Sequence, residues 1–600
     1  MATGPMKSIG AGELRLEHAG DQVTLAGWVG RRRDHGGVIF VDLRDASGIV
    51  QVVLNPEDRP ATEDVLHGIR LEYCVQIVGT VRPRPDGTVN DDLPTGVVEV
   101  VASELTVLSP SAVLPFQLDD RTDIDETLRL QYRYLDMRRS RMAENLRARS
   151  KAIRAMRNVM DEEGFLEVET PTLIASTPEG ARDMLVPSRL RKGKFYALPQ
   201  SPQLFKQMLM IGGVERYYQV AKCYRDEDFR ADRQIEFTQL DFEGSFWGQE
   251  DVLSVLEHVA ARVVEDLRDA TVSSPIPRMT YADAMRRFGT DKPDLRFGME
   301  IVDLSNVFDD TGFKAFAGVL EQGGTVAAIN TGPIGLARSG LDAQVARAQE
   351  LGAKGLVWMV VEEDRSLRSP VAKFLSESEL TSIVEETAAQ VGDTLLIVAD
   401  SARVVQRVLG QLRLDHGQPE GNEELAFAFV VDFPVFDVDD DGGLSPAHHP
   451  FTAPADLNEM VTSPEIAVSK AYDLVLNGTE LGSGSVRIHD PATQAKVFEV
   501  MGISDEDAES RFGWFLEALR YGTPPHAGFA IGIDRFVSIL RNEPNIREII
   551  PFPKTQTGAD PLTGSPSRVE EDQLIELGIE VRREVIDAWA EAETAPSADG

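Results

Sequence analysis

The chain has 600 residues, of which 42% are hydrophobic, and it lacks any apolar run of about 18 residues and any apolar N-terminal segment, so we expect neither a membrane span nor a secretory signal. Its formal net charge of −37 would repel nucleic acid at long range, so any RNA binding would depend on local basic patches. Its two cysteines, Cys74 and Cys223, have no CxxC or Cys/His spacing, which argues against a disulfide scaffold and structural zinc and suits a cytoplasmic location.

The first predicted domain is all-β. Five short β-branched runs are separated by Gly, Asp and Pro turns: VTLAGWVG, GVIFVDLRD, GIVQVVLN, YCVQIVGTVRPRP and GVVEVVASELTVLS. This number of strands fits the small oligonucleotide-binding (OB) barrel. Alternation in the second run places Phe40 beside Asp42 and Arg44 on the outer face. Phe40 is either an incidental surface aromatic or a platform for base stacking, and the adjacent RRRDHGG loop favours nucleic acid.

A Pro- and Asp-containing connector follows, and then an arginine-rich helix. Apolar residues recur at helical spacing at Leu146, Ile153, Met156 and Met160. The helix must end by Gly164, and FLEVETP then predicts a strand that stops at Pro171. The basic face of this helix is either solvated or used for RNA.

A second amphipathic helix begins in YALPQSPQLFKQMLM. Gln203 and Lys206 lie in its first turn, where a helix N-terminus and a cation together attract anions. This signal is weak by itself, because a lysine in the first turns of a helix is common.

The stretch VAKCYRDEDFRADRQIEFTQLDFE predicts an antiparallel hairpin with a charged connecting loop. Alternation places Phe237, Gln239, Asp241 and Glu243 on one face of the second arm. On the first arm, the same alternation places Cys223, Arg225 and Glu227 on one face. One sheet face can then offer a guanidinium, an aromatic ring, an amide and carboxylates to one ligand. Cross-strand ion pairing on a solvated sheet is the alternative, but it does not explain the ring and the amide.

Helix-like stretches alternate with GLVWMVVEED and TLLIVAD between residues 291 and 420, which predicts an inserted α/β module. Beyond it, GGLSPAHHPFTAP carries His448 and His449, which could suggest a metal site but have no third ligand at useful spacing. NGTELGSGSVRIHD carries Glu480 and Arg487, and Glu480 with Asp473 could hold Mg²⁺.

The strand–helix junction GFAIGIDRFVSIL combines Gly532, where a ligand can approach the backbone, with Arg535, which can clamp a phosphate. The sequence contains neither a P-loop nor a GxGxxG turn that opens a βαβ unit.

These elements occur in the order of the class II aminoacyl-tRNA synthetases. FLEVETP resembles motif 1, YRDED…EFTQLD motif 2 and GIDR motif 3, and QSPQLFKQ, HHPFT and GSGSVRIH are similar to the bacterial aspartyl-tRNA synthetases. The resemblance extends from the barrel to about Pro553, and the inserted module lies where the bacterial aspartyl enzymes carry one. It implies ATP- and Mg²⁺-dependent activation of L-aspartate, transfer to the 3′ end of tRNA, and a homodimer.

The predicted fold class is a multidomain α+β protein with an N-terminal OB-fold β-barrel, a class II catalytic domain built on an antiparallel sheet, and an inserted α/β module. The predicted boundaries are residues 1–112 for the anticodon-binding barrel, 113–145 for the connector, 146–290 and 421–560 for the two parts of the catalytic domain, 291–420 for the inserted module, and 561–600 for a C-terminal extension with a disordered tail.

The resemblance also implies site residues. Arg225 and Arg535 would be catalytic, on the α- and γ-phosphates, and Phe237 would stack on the adenine. The full ATP site would comprise Arg225, Asp226, Glu227, Gln234, Phe237, Glu480, Gly532, Ile533, Asp534 and Arg535. The aspartate site would comprise Glu179, Gln203, Lys206, Arg225, Gln239, Asp241, His448, His449 and Arg487. Asp473 and Glu480 would bind Mg²⁺. The anticodon would meet Arg33, Phe40, Gln51 and Glu99.

Physical chemistry supports the aspartate assignment. Lys206 and Arg487 would give the side-chain carboxylate a cationic pocket, with Arg487 binding it bidentately. Neutral asparagine would then leave two desolvated cations unpaired, and such a site can reject an analogue by about 10⁴–10⁵.

Two residues in predicted loops bear on which tRNA the enzyme would charge. His35 and Gly87 stand where strictly tRNA(Asp)-specific bacterial enzymes tend to have Leu and a larger residue, whereas relatives with relaxed anticodon reading carry His and Gly. We therefore expect both tRNA(Asp) and tRNA(Asn) to be charged, which would require an amidotransferase that converts Asp-tRNA(Asn). A strictly tRNA(Asp)-specific enzyme is the alternative.

Other classes fit less well. A lysyl-tRNA synthetase should place acids at Lys206 and Arg487, and the inserted module argues against both the lysine and the asparagine enzymes. A catalytic-core relative that makes a small amide would lack the barrel. A pure RNA-binding protein would have no use for Arg535, Glu480 and Arg487 together.

Overall fold

The computed structural model describes residues 6–58, 60–177, 181–227, 230–417, 423–438 and 443–594. The chain forms two compact units, Met1–Thr122 and Asp123–Gly600. The division falls within the connector predicted over residues 113–145. Within these described ranges, no helix is both long and apolar enough to cross a membrane.

The first unit is a closed barrel. Its strands and helix are β1 (Gln22–His35), β2 (Val38–Asp45), β3 (Gly48–Leu54), α1 (Glu63–Gly68), β4 (Cys74–Pro83) and β5 (Val98–Ser109). The strands close in the order β1–β2–β3–β5–β4, with β3 and β5 parallel and the other neighbours antiparallel. In β2, Ile39, Val41 and Leu43 are fully buried in the barrel core while Phe40 and Asp42 are half-buried on the outside. The predicted OB barrel and its alternation are confirmed.

The second unit begins with the elements that carry the first two predicted motifs. They are α2 (Glu126–Gln131), α3 (Arg133–Asp136), α4 (Ser140–Glu162), β6 (Leu166–Glu167), β7 (Leu185–Pro187), β8 (Phe195–Ala197), α5 (Gln203–Ile211), β9 (Arg216–Tyr224), β10 (Glu236–Ser245), α6 (Gln249–Arg268), β11 (Arg278–Thr280) and α7 (Tyr281–Phe288). The predicted arginine-rich helix is α4, which ends before Gly164, a residue with φ of +76°. The predicted hairpin is the antiparallel pair β9–β10.

The inserted module has its own sheet. Its elements are β12 (Val302–Asp303), α8 (Lys314–Leu320), β13 (Thr325–Asn330), α9 (Arg338–Glu350), β14 (Val357–Val361), β15 (Leu367–Arg368), α10 (Glu377–Glu386), β16 (Thr394–Asp400) and α11 (Ala402–Gly417). The order is β12–β13–β16–β14–β15, and neighbours are antiparallel although helices alternate with strands along the chain. Ala327 and Ile329 face one apolar core and Val326 and Ala328 face another. Burial on both faces explains why these strands read as continuous apolar runs.

The rest of the chain completes the main sheet. Its elements are β17 (Phe427–Val431), β18 (Phe436–Val438), β19 (Leu444–Pro446), α12 (Leu457–Thr462), β20 (Ala471–Leu476), β21 (Thr479–Val486), α13 (Pro491–Val500), α14 (Asp505–Leu519), β22 (His526–Gly532), α15 (Ile533–Leu540), α16 (Glu571–Leu577) and α17 (Arg583–Thr594). The predicted disordered tail falls partly on residues 595–600, outside the described residues.

The main sheet brings distant sequence motifs together. Its order is β11–β17–β20–β21–β22–β10–β9–β6, antiparallel except where β11 meets β17 and β9 meets β6. The chain enters the inserted module after β11 and returns in β17, the neighbour of β11. The strands β21, β22, β10 and β9 lie side by side, so three separate motifs share one sheet surface.

Candidate active site

One large cavity, of about 1310 Å³, lies in the second unit. The predicted residues that line it are Gln203, Lys206, Arg225, Asp226, Glu227, Gln234, Phe237, Gln239, Asp241, His448, His449, Glu480, Arg487, Gly532, Asp534 and Arg535. Two predicted residues in the described ranges, Ile533 and Asp473, lie behind this lining. Glu179 falls outside the described residues.

Strand register explains how these side chains meet. Phe237 lies opposite Cys223 and Gln239 opposite Gly532, so β10 is flanked on both sides by predicted site strands. The glycines of β21 let this surface pack closely, because a Cβ at Gly484 would lie 2.3 Å from the Gly528 carbonyl oxygen. The Gly/Ser pattern of this strand is therefore a packing requirement beneath the cavity.

One end of the cavity carries the predicted phosphate-binding arginines. The Arg225 guanidinium carbon lies 5.1 Å from the centre of the Phe237 ring, a cation–π contact. Arg535 donates from Nη1 to the Glu480 carbonyl oxygen at 2.5 Å and from Nη2 to Asp232 Oδ2 at 3.1 Å. The two guanidinium groups are thus held on either side of β10, one by an aromatic ring and one by β21.

Several predicted ATP-site residues are tied into the fold. Asp534 accepts from Arg149 Nε at 3.0 Å and from the Thr238 backbone N–H at 2.8 Å. Gln234 exchanges hydrogen bonds with the backbone of Lys554, at 3.1 and 2.9 Å. The Ile533 side chain is fully buried in the main apolar core. Their side chains position β10 and α15 around the cavity.

Lys206, Asp241 and Arg487 line another part of the cavity, and the fully buried Glu243 contacts both cations. Lys206 Nζ lies 2.5 Å from Asp241 Oδ1 and 3.2 Å from Glu243 Oε2. Arg487 Nε donates to Glu243 Oε1 at 2.9 Å, and its Nη2 donates to Oε2 at 3.2 Å. All four side chains are at most 2% exposed. We call Lys206, Asp241, Glu243 and Arg487 the charge quartet; two cations face two carboxylates, so its formal charges cancel.

The quartet perturbs its own carboxyl groups in opposite directions. Burial raises the pKa of Asp241, and the Lys206 contact only partly offsets this. Burial also acts on Glu243, but the charges of Arg487 and Lys206 outweigh it and lower the pKa of that carboxyl below its usual value. Glu243 is therefore a firmly ionised counterion for both cations.

Alternation places Glu243 on the correct face of β10, but its role depends on Lys206 and Arg487, which come from other parts of the chain. Gly528 lies opposite it in β22, and a Cβ there would fall 1.9 Å from Glu243 Oε2. Glycine at this position makes room for the carboxylate.

The quartet corrects the expectation of unpaired cations. Lys206 and Arg487 are already paired before any substrate binds, so asparagine would not leave them without counterions. The edge of Arg487 formed by Nε and Nη2 is taken by Glu243, and Nη1 donates to Ser485 Oγ at 2.6 Å and to His449 Nε2 at 2.7 Å. A guanidinium can only donate hydrogen bonds, so His449 Nε2 must accept this one. Burial and the charge of Arg487 lower the pKa of His449, which keeps its ring neutral.

The two predicted metal-binding carboxylates influence each other. Burial and the charge of Asp473 raise the pKa of Glu480. Asp473 Oδ1 lies 3.3 Å from His448 Nε2. Mutual repulsion of two carboxylates is relieved by a divalent cation, and Mg²⁺ typically takes one or two protein carboxylates and completes its shell with water and phosphate oxygens. The pair fits such a shared ion, although no group of three or more His, Cys, Asp or Glu side chains within the described ranges is arranged to hold a metal by itself.

Three of the four predicted anticodon residues, all except Phe40, form one network on the barrel. Arg33 Nη2 donates to Asp42 Oδ1 at 2.6 Å and to Gln51 Oε1 at 3.1 Å, and Gln51 Nε2 donates to Glu99 Oε2 at 2.8 Å. Arg82 Nε completes it with a bond of 2.8 Å to Glu99 Oε1. Asp42 and Arg82 were not predicted, although Asp42 shares the outer face of β2 with Phe40.

Of the two residues predicted to govern tRNA choice, His35 is the last residue of β1 and Gly87 lies in the loop between β4 and β5. The ring of His35 meets the ring of Phe40 edge-on, with centroids 5.9 Å apart. Gly87 has φ of +78° and open space where a Cβ would stand, so a larger residue there would be strained by the backbone and not by neighbours.

Comparison with known proteins adds independent findings. Residues 125–556 match the family described as tRNA synthetases class II (D, K and N), and residues 23–108 match the OB-fold nucleic acid binding domain. The chain is 49% identical over 579 residues to the aspartate–tRNA(Asp/Asn) ligase of Syntrophomonas wolfei, covering 95% of this chain and 99% of the relative. It is 50% identical over 575 residues to the protein of the same name from Thermobifida fusca, covering 95% and 98%.

Solved structures share the fold. An asparaginyl-tRNA synthetase from Pyrococcus horikoshii, crystallised with asparaginyl-adenylate, has a TM-score of 0.57 at 19% identity and covers 94% of this chain and 99% of its own. An aspartyl-tRNA synthetase from Entamoeba histolytica has a TM-score of 0.56 at 18% identity, with 91% of each chain covered.

Proposed function

The chain belongs to the class II tRNA synthetases of the aspartate, lysine and asparagine group, and we propose that it is an aspartate–tRNA ligase that charges both tRNA(Asp) and tRNA(Asn). The proposed choice of aspartate rests on the number of hydrogen-bond donors that remain in the charge quartet after its internal hydrogen bonds are made. Lys206 and Arg487 each retain one N–H beyond those engaged by described residues.

Two remaining donors match the two oxygens of a carboxylate. Aspartate can accept from both, whereas asparagine offers one oxygen and sets its NH₂ group against the second donor. Because that buried donor would lose its partner, discrimination arises from hydrogen-bond direction and not from net charge.

The reaction proceeds in two steps in one cavity. An oxygen of the aspartate α-carboxylate attacks the α-phosphorus of ATP in line, and pyrophosphate leaves. The terminal ribose hydroxyl of the tRNA then attacks the aspartyl carbonyl carbon, and AMP leaves. Arg225 and Arg535 stabilise charge on the phosphates, and the rest of the cavity supplies orientation. Arg225 now lies over Phe237, so stacking of adenine on that ring face requires it to move toward the α-phosphate.

Asp473 and Glu480 would hold the Mg²⁺ that accompanies ATP, which neutralises phosphate charge. Glu480 lines the cavity, and its carbonyl oxygen also fixes Arg535. This chain thereby couples the position of a phosphate-binding arginine to the strand that carries a metal-binding carboxylate.

The tRNA choice rests on the barrel. His35 beside Phe40, together with Gly87, supports relaxed anticodon reading, and the relatives from Syntrophomonas wolfei and Thermobifida fusca carry the Asp/Asn name. Such an enzyme works with an amidotransferase that converts Asp-tRNA(Asn). A strictly tRNA(Asp)-specific enzyme is the second candidate.

The chain is proposed to act as a cytoplasmic homodimer. The strand β6 lies at the edge of the main sheet, with Leu166 57% exposed, and Leu173 nearby in sequence is 51% exposed. Paired edges would cover these apolar side chains. Sedimentation should give twice the chain mass, and a monomer at micromolar concentration would contradict the proposal.

Two assays test the function. Aspartate-dependent exchange between ATP and pyrophosphate, absent with asparagine or lysine, tests activation at the quartet. Aminoacylation of tRNA(Asp) and tRNA(Asn) transcripts, with an unrelated tRNA as control, tests tRNA choice. Charging of tRNA(Asn) no faster than the control would leave the strictly tRNA(Asp)-specific enzyme.

A further inference from the structure

A chain of buried polar side chains leads from the back of the sheet into the cavity. His526 Nδ1 lies 2.8 Å from the Pro524 carbonyl oxygen, and His526 Nε2 lies 3.1 Å from Gln207 Nε2. Gln203 Nε2 in turn lies 3.0 Å from Gln207 Oε1. Of these side chains, only Gln203 lines the cavity, while His526 and Gln207 are fully buried.

The Pro524 carbonyl fixes the direction of every bond in this chain. A carbonyl oxygen only accepts, so His526 must carry its proton on Nδ1. Burial lowers the pKa of His526, which keeps the ring neutral and leaves Nε2 as an acceptor. Gln207 must then turn its NH₂ group to His526 and its carbonyl oxygen to Gln203.

Gln203 consequently donates its own NH₂ group inward. The atom that it leaves for the cavity is its carbonyl oxygen, an acceptor. At neutral pH the only hydrogen-bond donor of aspartate is its α-ammonium group, so an acceptor in the amino-acid site can serve only that group.

We propose that His526 and Gln207 are positioning residues that fix the amide orientation of Gln203, so that its carbonyl oxygen receives the α-ammonium group of the amino acid. The inference rests on the proposed function, because it requires aspartate to be the substrate. Neither residue touches the substrate; both act through Gln203. If the relay is broken, the Gln203 amide can rotate and present its NH₂ group to the ammonium, a repulsive arrangement.

The test compares two substitutions of equal size at His526. In His526→Gln the new side-chain oxygen can accept from Gln207, whereas His526→Met removes that acceptor. We expect the KM for aspartate in ATP–pyrophosphate exchange to rise about tenfold or more in His526→Met and to stay within about threefold of the parent in His526→Gln. The KM for ATP should change less than about twofold in both.

Succinate, which is aspartate without the ammonium group, separates positioning from general damage. As a competitive inhibitor it should bind both variants as it binds the parent. Equal weakening of aspartate and succinate in His526→Met, or equal KM values in the two variants, would overturn the inference. If His526→Met does not fold, Gln207→Met against Gln207→Glu gives the same comparison, since Glu keeps the acceptor for Gln203. Absence of aspartate-dependent exchange in the parent would instead refute the proposed function.

Discussion

The charge quartet predicts that Arg487 cannot be removed without a compensating change. Replacing Arg487 by Met leaves Glu243 and Asp241 with one buried cation, Lys206, between them. Adding Glu243→Gln to this variant removes one charge of each sign and restores neutrality. The pair of variants therefore separates the contribution of Arg487 to the fold from its contribution to the substrate.

The magnitudes follow from burial and bond number. Arg487 is 2% exposed and Glu243 fully buried, so solvent screens their pair little. Breaking a buried ion pair from one side costs about 3–5 kcal/mol, whereas replacing both partners by neutral groups is often close to neutral. We expect Arg487→Met to lose about 3–5 kcal/mol of unfolding free energy and the double variant to regain most of it. Both should lose one charge-assisted hydrogen bond to the substrate, worth about 1.5–3 kcal/mol, so kcat/KM for aspartate should fall about 10–10²-fold.

The assay is a double-mutant cycle that compares the parent, Arg487→Met, Glu243→Gln and the double variant. Urea unfolding followed by circular dichroism gives the stability of each variant, and ATP–pyrophosphate exchange gives kcat/KM for aspartate. Coupling in stability without recovery of exchange is the expected pattern. An Arg487→Met variant as stable as the parent would refute the charge balance. A double variant within about threefold of the parent in exchange would refute substrate binding by Arg487.

Three other predictions follow from single contacts. Gly528→Ala should lower kcat/KM for aspartate at least about tenfold, because the added Cβ would displace the Glu243 carboxylate; unchanged exchange would contradict the packing argument. Burial raises the pKa of Asp45, but hydrogen bonds from the backbone of Ala11 and from other donors outweigh it and lower the pKa below the unfolded value of about 3.9. The stabilisation of the barrel by ionised Asp45 is therefore complete above about pH 5 and is lost as the pH falls below about 4. Hydrogen exchange of barrel peptides in the whole chain should become faster over this pH range. In the Asp45→Asn variant, this dependence of barrel exchange on the ionisation of residue 45 should disappear. His35→Leu should reduce charging of tRNA(Asn) about tenfold more than charging of tRNA(Asp), and equal effects in aminoacylation would separate His35 from tRNA choice.

The sequence was sufficient for the elements that obey simple periodicity. Alternation in β10 placed Phe237, Gln239 and Asp241 on one face, and the register with β9 and β22 places them along the same cavity. The barrel strands were predicted for the same reason, since each has one face buried in a core. Periodicity reports which face a side chain occupies, and this information is local.

Partners across the sheet could not be predicted in this way. Glu243 and Arg487 are separated by 244 positions and meet only because β21, β22 and β10 are neighbours. The relay through Gln207 and His526 joins a helix to a strand 319 positions away. In the inserted module, alternating helices and strands did not reveal that the strands pair antiparallel, because connection length does not determine strand direction.

The quartet also shows why the residue types in a pocket are a poor guide to the charge of its ligand. Two cations suggested an anionic ligand, and two carboxylates would equally suggest the ammonium of lysine. Both oxygens of Glu243 are already engaged by Arg487, and Lys206 shares one of them, so Glu243 has little capacity to receive a further ammonium. Each cation, in contrast, keeps one donor. What a buried neutral cluster recognises is therefore set by the donors and acceptors that remain after its internal bonds are made. Here the remainder is a pair of donors suited to one carboxylate, together with one acceptor, Asp241 Oδ2, which the α-ammonium group of the same amino acid can fill.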